Sequence, residues 1–371
     1  MRDDPPARDV RVGIVGPLLG HHPGWVVSQG ERLAERLAAD GLAVRTTSGR
    51  IGRLARAIDT ARSVHGWSGE VDVVVVMVFS GPAFAITSLA CGTAAAVRLP
   101  VVLWLHGGNL PAFARRHPRW VGAVLGRART VVAPSAYLAR AVRDHSGTDT
   151  GTGTDTGTDT ESGAAAGRAV TIIPNLLDAA VAPFASRAPL RPRLLWMRTF
   201  HPLYRPEWAI ETLGRLLERF PDATVTMAGQ DRGELATVRA AAAAAGLTDR
   251  VHFSGFLDAE GKERAFADHD VFVNTTATDN APVSLLEAAA HGLPIVSTAV
   301  GGIADLFPDG VAAVLADDPQ GLADGVSRLL TDSDLATSVS AAAHQRACEC
   351  TWEQVGPQWH RLLGEIGRAR P

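Results

Sequence analysis

The chain has 371 residues, 46% of them hydrophobic and 20% charged, with 36 basic against 39 acidic side chains for a net charge of −3. That length suits about two domains at roughly 100–200 residues each, and the composition excludes the disordered and fibrous classes. The near balance of charge gives no field that gathers nucleic acid without sequence preference, so no nucleic-acid partner is expected.

Lys262 is the one lysine and every other basic residue is arginine, a bias read as codon composition with no functional content. Cys91, Cys348 and Cys350 are too few and too badly spaced for a disulfide framework, and Met1-Arg2-Asp3-Asp4-Pro5 opens no signal peptide, so a reducing cytoplasm is the expected compartment. His344, Cys348 and Cys350 find no second ligand pair and are read as ordinary side chains; no metal site is expected. The longest apolar tract, Ala85 to Leu105, is broken by Gly92, Arg98 and Pro100, which excludes a spanning helix of about 20 unbroken apolar residues.

Short β-branched runs alternate with helical periodicity along the chain. In the first half they are 10–15, 42–46, 71–79, 101–105, 130–133 and 170–173; in the second, 194–196, 223–227, 251–253, 271–274, 295–297 and 313–315. This is the βαβ pattern of two parallel sheets, and the continuous runs Val71–Val76 and Val101–Leu105 suit central strands covered on both faces. Ser146 to Gly167 is almost all Gly, Thr, Asp and Ser, too polar to offset the entropy of ordering, and reads as a flexible insertion in the first domain. The expected division is a first domain over 1–178, a linker over 179–192 broken by Pro183, Pro189 and Pro192, and a second domain over 193–350. An amphipathic helix over 352–371, carrying Trp352, Val355, Trp359, Leu362, Leu363 and Ile366, is expected to close the first domain.

Ligands of open parallel sheets bind beyond the carboxyl ends of the strands, so the residues just after each run matter. The first run is followed by Gly16-Pro17-Leu18-Leu19-Gly20 and Gly24, ahead of a helix expected over Val26–Ala39. These glycines permit close backbone approach to a ligand, or simply serve a turn. His106-Gly107-Gly108-Asn109 follows the run 101–105, a strand-end position that favours a ligand-facing imidazole. Arg198 follows the run 194–196, and Arg205 precedes Pro206 and a helix expected to reach Phe220. Two guanidinium groups beside a helix N-terminus suit a diphosphate, with two solvated surface arginines as the other reading. After the run 271–274 comes Asn274-Thr-Thr-Ala-Thr-Asp279-Asn280-Ala281-Pro282-Val283-Ser284-Leu285-Leu286-Glu287. Asn280 is expected to cap a helix with Pro282 in its first turn, so that two carboxylates eight apart flank a helix N-terminus suited to an anion or to sugar hydroxyls.

With Asp279-x7-Glu287 followed by Ala288-Ala289-Ala290-His291-Gly292-Leu293-Pro294-Ile295-Val296-Ser297, the chain resembles the GT-B fold glycosyltransferases of family GT4, retaining enzymes that use nucleotide sugars. Phe220-Pro221-Asp222-Ala223, Gly229, the run from Gly246 to Gly255, and Ile173-Pro174-Asn175 fall in that family's order, and the likeness is strongest from Arg193 to Gly302. The resemblance implies an α/β architecture of two Rossmann-like doubly wound domains facing across a cleft. It implies that Glu287 binds the donor ribose, Arg198 and Arg205 the diphosphate, and the backbone near Gly255, Phe256 and Leu257 the base. Asn280, Ala281, Pro282 and Val283 are then expected to meet the donor sugar together with His106, with Gly16 and Gly20 near the diphosphate and acceptor. Asp279 stands where the family usually has glutamate, one methylene longer, and Arg205-Pro206 where it usually has Lys-Gly.

The reaction so implied is sugar transfer with retention, catalysed by Arg198, Arg205, Asp279 and His106. The resemblance implies a nucleotide-diphosphate sugar as co-substrate, and since no Asp-x-Asp triplet stands beside the proposed donor site, no metal and no other cofactor are expected. A nucleotide-sugar epimerase of the same fold and an inactive binding or scaffold protein are the rival readings. The acceptor stays open among a glycan, a lipid-linked glycan and a small molecule. Arg50, Arg53, Arg56 and Arg62 interleave with Ile51, Leu54, Ala57 and Ile58, and Arg115, Arg116 and Arg119 lie near Trp120. That pattern fits a weak peripheral contact at the inner face of a membrane or a solvated helix face.

Overall fold

The computed structural model describes residues 10–22, 25–143, 170–187 and 189–368. The low-complexity tract Ser146–Gly167 lies outside the described residues. Two units are present, one drawing on residues 10–21, 26–143, 170–173 and 358–368, the other on 22, 25 and the described residues of 174–357.

The first unit is built on a six-stranded parallel sheet: β1 (Val12–Val15), β2 (Val44–Thr47), β3 (Val73–Val78), β4 (Val101–Leu105), β5 (Thr130–Ala133) and β6 (Val170–Ile172), in the order β2-β1-β3-β4-β5-β6. Every residue of β3 and β4 is buried, the result expected where helices cover both faces of a parallel sheet. The edge strand β2 keeps Arg45 and Thr46 exposed, as an edge does that must not recruit another strand. The helices are α1 (Gln29–Ala39), α2 (Arg53–Gly66), α3 (Phe84–Ala96), α4 (Leu110–Arg116), α5 (Pro118–Leu125) and α6 (Ala136–Arg143).

The second unit holds another six-stranded parallel sheet, of β7 (Arg193–Met197), β8 (Thr224–Ala228), β9 (Val251–Gly255), β10 (Val271–Asn274), β11 (Ile295–Thr298) and β12 (Val314–Ala316), ordered β12-β11-β10-β7-β8-β9. Side chains alternate across β7: Leu194 and Trp196 join the core on one face, Leu195 and Met197 the core on the other, the period of two that a strand imposes. Its helices are α7 (Pro206–Leu216), α8 (Leu235–Ala244), α9 (Ala259–Asp268), α10 (Val283–Ala290), α11 (Ile303–Leu306), α12 (Pro319–Thr331) and α13 (Ser333–Cys348). The last helix, α14 (Trp352–Arg368), buries Val355, Trp359 and Leu363, and Trp359 meets Trp104 of β4 edge-on at 5.0 Å.

All twelve strand runs read from the sequence are strands, and the α/β architecture stands. The two sheets differ in order: the second places its first and fourth strands, β7 and β10, side by side, whereas the first places β1 beside β2 and β3. Both arrangements create a switch point beyond the carboxyl ends of the strands.

Three helix boundaries move from expectation. The helix expected from Val26 starts at Gln29, because Ser28 and Glu31 form a reciprocal capping box that satisfies two free donors at once. The helix expected to reach Phe220 ends at Leu216. Asn280 does not cap α10; extended Pro282 is its N-cap and so stands one position before the first turn. Lacking an N–H, Pro282 costs the helix no donor there. No helix of the described residues is long and apolar enough to cross a membrane.

Candidate functional site

The switch point of the second sheet collects several of the expected residues. Arg198 leaves β7 immediately after Met197, and Asn274 is the last residue of neighbouring β10. The Arg198 Nε donates to Asn274 Oδ1 at 3.1 Å, and its Nη2 pairs with Asp279 Oδ2. Asn274 passes the chain on by donating from Nδ2 to Ser297 Oγ of β11 at 2.9 Å. Arg198 and Asp279 are only 12% and 19% exposed, so the two charges are largely out of water and compensate one another.

Further hydrogen bonds and close packing hold this pair. Thr275 Oγ1 accepts from Trp196 Nε1 at 2.9 Å and donates to the Tyr204 carbonyl at 2.7 Å, while Ala277 N donates to the Leu203 carbonyl at 2.8 Å. The loops after β7 and β10 are therefore joined. Two glycines allow the backbone to crowd in: a Cβ at Gly229 (φ +152°) would lie 1.8 Å from the Arg198 carbonyl oxygen, and one at Gly301 (φ +61°) 1.8 Å from that of Asp279. No L side chain fits either place. Arg198 also stacks over the Tyr204 ring, 4.8 Å from its centre. Burial raises the Tyr204 phenol above its ordinary range, with Arg198 opposing and Asp279 adding to the shift, so the ring is a neutral platform.

Arg205 does not join this cluster through any contact described. It takes a left-handed conformation (φ 43°, ψ 58°) at the start of α7, and its guanidinium lies 4.3 Å over the Trp208 ring.

The loop Asn280–Val283 opens α10. Asn280 N donates to Asp279 Oδ1 at 2.8 Å, and Asn175 Nδ2 donates to the Ala281 carbonyl at 2.9 Å, which fixes the loop from the side. No side chain caps α10. Its first N–H groups retain the donor capacity and partial positive charge of a helix N-terminus, and Ser284 Oγ is buried there without a partner. One turn further on, Glu287 is bound by Lys262, whose Nζ lies 2.8 Å and 3.1 Å from its two carboxylate oxygens. Gly255 ends β9 with φ +69°, accepts from Gly229 N at 2.8 Å, and leaves the next residue, Phe256, 47% exposed beside half-buried Leu257.

Gly16, Gly20 and His106 belong to the first unit. Gly16 exchanges backbone bonds with the end of β2, and a Cβ on it would strike Met77 Sδ at 2.4 Å, so packing alone demands glycine here. Gly20 N donates to Glu31 Oε1 at 2.8 Å. His106 follows β4, stacks on Phe79 at 5.1 Å and tilts against Trp104 at 4.6 Å; its Nε2 is buried without a partner. Burial pushes its imidazole down to about 3, so it is neutral in ordinary buffers.

Lys262, Tyr204, Gly301 and Asn175 were not assigned a site role from sequence. Lys262 had a signal of its own, as the single lysine of the chain, and Asn175 stood inside a quoted motif. Tyr204 and Gly301 had none.

Residues 191–332 match the family described as Glycosyl transferases group 1. D-inositol 3-phosphate glycosyltransferases are similar over part of the chain. That of Corynebacterium urealyticum is 27% identical over 174 residues, 45% of this chain and 40% of its own, and that of Salinispora tropica is 31% identical over 174 residues, 44% and 36%. The matched segment thus spans about two fifths of these relatives' length. Sucrose-phosphate synthase of Thermosynechococcus elongatus superposes with a TM-score of 0.72 at 17% identity over 97% of this chain and 100% of its own. HepE of Anabaena, solved in complex with UDP, superposes with 0.69 at 16% over 96% and 100%. The fold is that of the GT-B glycosyltransferases. Residues 191–332 carry the likeness to the group 1 glycosyl transferases.

Proposed function

We propose that the chain transfers a sugar from a nucleotide-diphosphate sugar to an acceptor hydroxyl with retention at the anomeric carbon. The observation that carries this reading is the Arg198–Asp279 pair at the switch point, next to the uncapped N-terminus of α10. In the reaction the bond from the anomeric carbon to the diphosphate breaks, one to the acceptor oxygen forms on the same face, and the acceptor's proton passes to the departing diphosphate oxygen. Negative charge grows on the leaving diphosphate, where a guanidinium and free helix N–H groups stabilise it. Those groups supply positive charge without a metal, and we infer a metal-independent transferase. Glu287 accepts the ribose hydroxyls, Phe256 and the backbone at Gly255 and Leu257 meet the base, and the loop Asn280–Val283 meets the sugar. Arg205 reaches the diphosphate after leaving Trp208, and His106 of the first unit is read as a neutral hydrogen-bonding group, not as an acid. The solved neighbour carrying UDP supports a nucleotide partner of this kind.

The test is release of nucleoside diphosphate, with and without candidate acceptors, in excess EDTA. Acceptor-dependent release unaffected by EDTA is expected. Release abolished by EDTA and restored by Mg²⁺ contradicts the metal-free part, and formation of an epimeric nucleotide sugar in place of transfer contradicts the whole.

A weak contact with an anionic membrane is a second element of the proposal. Leu54 and Ile58 of α2 are 76% and 45% exposed four positions apart, Ile51 just ahead of the helix is 55% exposed, Arg50 and Arg53 are exposed among them, and the single acid of α2, Asp59, accepts from Thr47 Oγ1 at 3.2 Å. An apolar stripe edged with arginine suits an anionic lipid surface. Co-sedimentation with phosphatidylglycerol vesicles, lost in Leu54→Glu and absent with neutral vesicles, is the expected result; equal recovery with and without vesicles contradicts it.

A further inference from the structure

Every other cation in this chain is arginine, yet the residue that meets Glu287 is a lysine. It stands in the first turn of α9, whose N-cap Asp258 accepts from Gly261 N at 2.8 Å and, through its carbonyl, from Lys262 N at 2.9 Å. The following residue, Glu263, meets His291 Nε2 at 2.9 Å just past the end of α10, and the His291 ring stacks on Phe266 of α9 at 4.4 Å. The Glu263–His291 pair and the ring stack therefore join α9 to α10, so Lys262 reaches Glu287 from a fixed base. The Lys262 and Glu287 side chains are 28% and 13% exposed.

A carboxylate offers about four lone-pair sites. The ammonium takes one on each oxygen, which fixes the carboxylate plane and leaves the remaining sites for two further donors. An ammonium is a compact point charge, and a guanidinium fork would fill more of the space around those sites.

We propose that Lys262 is a positioning residue that holds the Glu287 carboxylate to accept from both vicinal hydroxyls of a ribose, and so makes the site select ribonucleotide over 2′-deoxyribonucleotide donors. This rests on the reading of Glu287 as the ribose acceptor. A deoxyribose brings one hydroxyl where the held carboxylate presents two acceptors, and an acceptor left without a donor in a half-buried setting is costly. A carboxylate free to turn recovers the missing partner from water and discriminates less.

The experiment is calorimetric titration of the full chain with UDP, GDP and ADP, each beside its 2′-deoxy counterpart, for the wild type, Glu287→Gln, Lys262→Met and Lys262→Gln. The wild type is expected to prefer the ribonucleotide of one pair by about tenfold or more, the ratio that one unmet hydrogen bond corresponds to. Lys262→Met is expected to bring that ratio toward one, chiefly by weakening the ribonucleotide, with the melting temperature nearly unchanged. Lys262→Gln, with a single amide to offer one oxygen, is expected to be intermediate, and it carries the test if the methionine variant does not fold. A wild-type ratio in both Lys262 variants, with the ratio lost in Glu287→Gln, overturns the role of Lys262 and leaves that of Glu287 standing. A ratio unchanged in Glu287→Gln overturns the ribose reading and the proposal with it, and so does a wild type that binds none of the six nucleotides.

Discussion

The guanidinium of Arg198 is paired with the carboxylate of Asp279, and the pair ties the loop after β7 to the loop after β10. Asp279 thus holds the arginine that the proposed chemistry needs most, and one acid a methylene shorter than glutamate suffices for that contact. Two residues acting as one unit have non-additive effects. Arg198→Met is expected to lower kcat about 10²–10³-fold, as loss of one charge-stabilising donor does, and Asp279→Asn to lower it less. The double variant is expected to be no worse than Arg198→Met alone, as measured by steady-state release of nucleoside diphosphate.

Gly229 and Gly301 serve the same pair from outside it. Gly301→Ala forces a Cβ onto the Asp279 carbonyl at a left-handed φ; the backbone conformation alone costs about 1–3 kcal/mol, and the overlap adds to that. The expected outcome is a lower urea midpoint together with weaker nucleotide binding. Gly310→Ala is the control: it has a positive φ of 68° as well, but nothing within 4 Å of the added methyl, so it loses stability alone.

His106 makes stability depend on pH in a definite direction. Its folded pKa lies near 3 against an ordinary 6.5, so between these values the unfolded chain binds a proton that the folded chain refuses. The contribution is full above about pH 6.5 and is lost as the pH falls toward 3, and at pH 5 the loss is about 2 kcal/mol. Urea denaturation at pH 7.5 and pH 5 is expected to show a smaller drop in His106→Phe than in the wild type. Equal drops contradict a neutral, buried imidazole.

Cys91 and Cys350 are buried, and burial pushes both thiols up to about 12; Cys348 is partly exposed. Because the thiolate is the reactive form, alkylation of the native chain at pH 8 is expected at Cys348 alone, and at all three cysteines in urea. Mass spectrometry of the labelled peptides decides it.

The strands were legible because parallel strands covered on both faces are continuous apolar runs, as Val73–Val78 and Val101–Leu105 are. The acidic segment was legible because Asp279 and Glu287 lie on one stretch of chain. Contacts between distant segments were not. Lys262 lies 25 positions from Glu287, and Gly301 is called for only because the Asp279 backbone passes beside it. Nothing local marks Tyr204 as the platform for Arg198. The end of α7 at Leu216 and the extended Pro282 cap of α10 also depart from the local pattern, in which Phe220 and Asn280 are the expected end and cap.

Binding of a nucleotide-sugar donor at Glu287 is tested by thermal denaturation of the wild type and Glu287→Ala against a panel of UDP-, GDP-, ADP- and dTDP-sugars, since a ligand that binds only the folded chain raises its apparent stability. One ribonucleotide series is expected to raise the melting temperature of the wild type, and Glu287→Ala to lose the response. A wild type unmoved by every nucleotide sugar at millimolar concentration would contradict such binding.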